Sequence, residues 1–220
     1  MRRVIGILVA SIFGFSLSVY ADTISSNLSP GNTFQTGTVN SWANGGDSNP
    51  ANAVVFVVPS GQNYLLTQIM VADNWFAGSS PLTVSISAGS DPNTATLLES
   101  FTIPTSDAIQ FASELFTVTP SLQTLLMGGQ SYIIEESIAA CGVASSCDTT
   151  WGWQWNNLMP PQTGFFARFD GGSWFAETGI ITPAYAVLGS PVPEPSSTVL
   201  LFTGLLGVVV VMWKRSLQRI

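Results

Sequence analysis

The sequence contains no histidine, and its one lysine is Lys214. A histidine general base, a lysine Schiff base and histidine-ligated zinc are therefore excluded. Charge is scarce: 9% of the residues are charged, against roughly a quarter in ordinary globular chains. Cations are rarest of all. Between Asp22 and Glu194 one arginine, Arg168, faces all thirteen acidic residues, a net charge of −12. A body so acidic repels phosphate backbones, and no nucleic-acid partner is expected. Glu135 and Glu136 are adjacent, so on a strand they point to opposite faces and cannot act together as a glycosidase pair. The expectation is a chain that is not an enzyme, with a carboxylate-dependent hydrolase as the remote alternative.

The other cations, Arg2, Arg3, Lys214, Arg215 and Arg219, sit at the two ends. Residues 1–21 read as a secretory signal peptide: Arg2 and Arg3 precede an apolar run from Val4 to Val19, and Ala21 offers a cleavage site. A permanent N-terminal membrane helix is the alternative, and the polar shift at Asp22-Thr23 weighs against it.

Residues 189–220 read as a tail in three parts. Pro191, Pro193 and Pro195 forbid a helix around Val192-Pro193-Glu194-Pro195. Thr198 to Trp213 then runs sixteen residues without a charge, about 24 Å as a helix. Ser196, Ser197, Trp213 and the snorkelling stems of Lys214 and Arg215 extend it toward the roughly 30 Å hydrocarbon core. A transmembrane helix over residues 198–213 is expected. Lys214, Arg215 and Arg219 would stop transfer with the body outside.

This order of Pro-Glu-Pro, apolar run and basic end resembles the PEP-CTERM sorting signal. The resemblance covers about 30 residues. It implies recognition by an exosortase, a membrane cysteine transpeptidase of Gram-negative bacteria, with Val192, Pro193, Glu194 and Pro195 as the sorting motif. It also implies cleavage nearby and delivery of the body to the cell surface or an extracellular matrix. A plain single-pass anchor is the alternative.

Residues 22–188 read as one β domain. Short apolar runs such as Tyr64–Val71, Leu82–Ser87, Tyr132–Glu136 and Thr149–Trp155 alternate with Gly, Pro, Asn, Asp and Ser turns. About nine strands predict an all-β fold, a single antiparallel, jelly-roll-like β-sandwich, flanked by the signal peptide and the transmembrane helix. Ser121–Met127 alone looks helical. The domain resembles the choice-of-anchor modules that precede such tails. The shared stretches are Ser26–Gly31, Val84-Ser85-Ile86, Leu97–Phe101, Leu126–Tyr132, Trp155 and Gly171–Trp174. That resemblance implies fold and location rather than chemistry.

Within the domain, Cys141 and Cys147 have five residues between them, and in an oxidising compartment they are expected to form a disulfide. A metal pair would lack two further ligands, and a redox site would want Cys-x-x-Cys. Trp151, Trp153 and Trp155 alternate, so on a strand their rings share one face. Facing inward they are core; facing outward they form a platform suited to sugar rings. No Asp-x-Asp-x-Asp loop appears, and no metal ligands can be chosen; calcium at loop carboxylates stays open as the one cofactor. Arg168 is expected to pair with Asp170 or Glu177. The function expected is a structural or adhesive part of an exopolysaccharide layer, with a carbohydrate-binding module using the three tryptophans as the alternative.

Overall fold

The computed structural model describes residues 21–41, 51–138, 149–157, 164–168, 172–179, 181–192 and 197–217. The signal-peptide residues 1–20, Cys141, Cys147, Pro193, Glu194, Pro195 and Arg219 lie outside the described residues.

Two antiparallel sheets account for the body. The strands are β1 (Asp22–Ser26), β2 (Gln35–Ser41), β3 (Ala51–Val57), β4 (Tyr64–Ala77), β5 (Leu82–Ala88), β6 (Thr96–Ile103) and β7 (Ser113–Val118). After them come β8 (Leu125–Leu126), β9 (Ser131–Ile138), β10 (Thr150–Trp155), β11 (Phe165–Arg168), β12 (Phe175–Glu177) and β13 (Tyr185–Pro191). One sheet has the order β1-β13-β4-β10-β2, with β7 and β8 also paired to β4. The other has the order β12-β11-β3-β9-β5-β6. The fold is therefore all-β, as the alternating runs predict.

Alternation decides which side chains meet. Val54 and Phe56 of β3, Val84 and Ile86 of β5, and Ile134 and Ile138 of β9 face Ile69 and Val71 of β4, Trp153 of β10 and Val187 of β13 in one core. At 14 residues β4 is the longest strand, and it carries β13, β10, β7 and β8. The sequence reading ended it at Val71; the strand continues through Asp73 to Ala77.

The expected helix at Ser121–Met127 is a correction. Glu99 of β6 captures that segment instead. Its carboxylate accepts from Ser121 N at 2.6 Å, Leu122 N at 3.1 Å, Ser121 Oγ at 3.0 Å and Thr124 Oγ1 at 2.9 Å. Two backbone and two side-chain donors thus tie the segment to an acid of β6. Burial pushes the Glu99 carboxyl up, but these four bonds outweigh burial and hold it below its ordinary value. Leu125-Leu126 then pairs with Leu65-Tyr64 as β8.

The tail forms the helix α1 (Ser197–Leu217), with Lys214 and Arg215 in its last turn. Its residues 203–211 are exposed. Among the described residues, no helix is long and apolar enough to cross a membrane.

Candidate functional site

The outer face of the β12-β11-β3-β9-β5-β6 sheet carries a groove of about 310 Å³. Odd-numbered residues of β5 and β9 line it because even-numbered ones face the core: Ser85, Ser87, Ile133, Glu135 and Ser137. Arg168 Nη2 donates to Glu135 Oε1 at 3.3 Å, and its Cζ lies 4.6 Å from the Trp174 ring centroid. Burial pushes the Glu135 carboxyl up, partly offset by the guanidinium. Asn93 fixes Trp174 from both sides of its peptide, Oδ1 accepting from Trp174 N at 2.9 Å and Nδ2 donating to its carbonyl at 3.4 Å. The expected partners of Arg168 were Asp170 and Glu177. Glu177 is paired in register with Phe165, which is inward-facing, so it projects from the opposite face to Arg168. Asp170 lies outside the described residues.

The tryptophans resolve inward. Trp151 and Trp153 have no exposed surface and belong to the core, while Trp155 is half-buried. Trp153 Nε1 donates to Ala184 O at 3.0 Å, Trp151 Nε1 to Ser80 O at 3.1 Å, and Trp151 meets Phe116 edge-on. The solvent-facing platform, the alternative to a core role, is therefore a correction at Trp151 and Trp153: both pack between the sheets, where about 150–250 Å² of ring surface each leaves water.

Two acids share that interior. Asp73 of β4 and Glu136 of β9 are 0% and 3% exposed. Burial is the main cause raising both: Asp73 is pushed up to about 7, and Glu136 is raised well above its usual value, further lifted by Asp73. Glu135 and Glu136 do point to opposite faces, one to the groove and one to the core.

The last strand leads into the tail. Gly189, Ser190 and Pro191 pair with Leu66, Leu65 and Tyr64. A Cβ on Gly189 would stand 2.6 Å from Ile24 Cδ1 and 2.8 Å from Leu65 O, so only glycine lets β1 and β4 close around it. Val192 N then donates to Asn63 O at 2.8 Å, and Gln62 Nε2 donates to Val192 O at 2.8 Å. The body boundary set at residue 188 thus moves to Val192. Gly189, Ser190 and Pro191, read as the start of the tail, are the end of β13, and hydrogen bonds hold the chain up to Val192.

Residues 191–216 match the family model described as the PEP-CTERM protein-sorting motif. The chain carries a PEP-CTERM sorting motif. No curated protein matches the chain. Among solved structures, the cysteine protease and lectin-like domains of Cwp84, a surface layer associated protein of Clostridium difficile, share 12% identity at a TM-score of 0.44, over 65% of this chain and 32% of that one. The clostridial cysteine protease Cwp84 after propeptide cleavage shares 10% identity at a TM-score of 0.44, over 65% of this chain and 36% of that one. The chain thus spans about a third of their length, and likenesses at this TM-score carry no inference.

The PEP-CTERM match opens at Pro191, the last residue of β13, and closes at Ser216 in α1. It includes the sorting residues Val192, Pro193, Glu194 and Pro195 and the basic Lys214 and Arg215, and leaves Arg219 beyond its end. Sequence reasoning missed Asp73. The signal was available: Asp73 shares the odd-numbered phase of Ile69, Val71 and Trp75, as Glu136 shares the phase of Ile134 and Ile138. An acid in an apolar phase marks either a strand edge or a buried site.

Proposed function

We propose that this chain is exported, held briefly at the membrane by its uncharged C-terminal run, and passed by an exosortase to the cell surface or an extracellular matrix of a Gram-negative bacterium. There its jelly-roll-like body plays a structural or adhesive role in an exopolysaccharide layer, without catalysis. The observation that carries this reading is the PEP-CTERM match over residues 191–216. The uncharged run Thr198–Trp213 followed by Lys214 and Arg215 supports the anchor. The missing histidine and the enclosure of Asp73 and Glu136 support the absence of catalysis. A reporter active only outside the cytoplasm, fused after Val192, is expected to be active. A reporter that works only inside the cell contradicts export.

A second reading is favoured by the groove. Its hydroxyls, the Arg168–Glu135 pair and about 310 Å³ of space suit a neutral sugar ring with adjacent hydroxyls. Glu135→Gln is expected to weaken binding of a neutral polysaccharide at least about tenfold, by calorimetry, with the melting temperature little changed. Equal binding by the variant would reject the groove.

A further inference from the structure

Ionised carboxylates only accept hydrogen bonds, so two of them facing each other can share nothing but a proton. Apart from each other, Asp73 Oδ1 and Oδ2 and Glu136 Oε1 are buried without a partner. Asn52 is also fully buried, and both its Oδ1 and Nδ2 lack a partner. Asn52 is the cross-strand partner of Glu136 on β3, so the two side chains leave the sheet on the same face. That face is inward, because Val54 and Phe56 follow Asn52 in phase into the core. Asp73 reaches the same interior from β4 of the opposite sheet, between Val71 and Trp75. Three polar side chains from two sheets thus converge where the rest of the lining is apolar.

We propose that Asp73, Glu136 and Asn52 Oδ1 bind one calcium ion between the two sheets. A divalent cation cancels the charge of two buried carboxylates that the apolar interior otherwise penalises heavily. One shared proton satisfies two oxygens at most and leaves the Asn52 amide unmet. Two carboxylates and an amide offer up to about five oxygens, near the six to eight that calcium takes in irregular geometry. Magnesium demands a regular octahedron and keeps several waters, which a lining of Val84, Ile138 and Trp153 does not provide. Among the described residues no three His, Cys, Asp or Glu gather together, so the site depends on the amide oxygen. The Asp73 face also carries Glu114, its cross-strand partner on β7, which is half-buried and accepts from Ile109 N at 2.7 Å, and the hydroxyl of Tyr185, which sits opposite Val71 and bonds Ser25 Oγ. Both are already engaged.

Calorimetry of the purified full-length chain with calcium chloride tests this. The expected result is one ion per chain, with magnesium chloride weaker by about a hundredfold. In EGTA the chain is expected to melt lower at pH 8 than at pH 5. Burial raises both native acids above their unfolded values, Asp73 to about 7, so the stability their protonated forms contribute is full below about pH 4 and begins to be lost as pH rises through the titration of Asp73. Calcium should restore the loss at pH 8. Asn52→Ala should weaken binding at least about tenfold. Asp73→Asn with Glu136→Gln removes the buried charge and should melt alike in calcium and EGTA. The proposal is overturned if the wild-type chain takes up no calcium, or if Asn52→Ala or the double variant binds as the wild type does.

Discussion

Replacing Pro193, Glu194 and Pro195 with alanine is expected to leave nearly all of the chain at full length in the membrane fraction. The body should fold as before, because its last hydrogen bonds are made by Val192 and none described reaches further. What changes is the connection between sheet and helix. Pro193 and Pro195 cannot continue a helix, and a proline-rich stretch of this kind suits addition as a strand to a transpeptidase cleft. Alanine is the strongest helix former, so the same segment in the variant joins the start of α1 at Ser197. Helix-bonded backbone cannot be read as a strand, and the one acid in the connection, Glu194, is gone. Fractionation and immunoblotting check the outcome. A surface form at wild-type abundance would show that the Pro-Glu-Pro stretch is not what the sorting enzyme reads.

The second large effect is on stability. Trp153→Ala is expected to cost about 3–5 kcal/mol, the usual range for emptying a buried tryptophan site. In a body of this size that lowers the melting temperature by roughly 6–20 °C. The ring has no exposed surface and sits among core residues of both sheets, and its N–H holds Ala184 O at 3.0 Å. Ala184 N in turn donates to Gln154 O at 2.7 Å, so the variant loosens the seam between β10 and the approach to β13. Thermal denaturation followed by near-ultraviolet circular dichroism measures it. An unchanged melting temperature with loss of sugar binding would restore the exposed platform.

Much of this was legible in the residues, for a physical reason. Leu82–Ser87 alternates cleanly, because one of its faces is in the core, and it and Tyr132–Glu136 were read as strands; they lie within β5 and β9. The strands that escaped notice are β1, β2, β8 and β12. Their sequences, such as Asp22–Ser26 and Gln35–Ser41, are mostly polar or very short, and pairing with a neighbour makes them strands. Ser121–Met127 was misread because local propensity cannot see Glu99 waiting in β6. The inward direction of the tryptophans could not be had from alternation alone, since period two gives a shared face without saying which. Asp73 went unremarked because it closes an apolar run that was read as ending at Val71. The groove needed the register of β9 against β3 and β5, which no single segment encodes.

Mass spectrometry of the surface-released protein bears most directly on the account. Peptides should begin at Asp22 and cover the body through Val192, and none should contain the uncharged stretch between Val199 and Arg215. Recovery of that stretch in the bulk of the released protein would contradict removal of the tail, and with it delivery by a sorting enzyme.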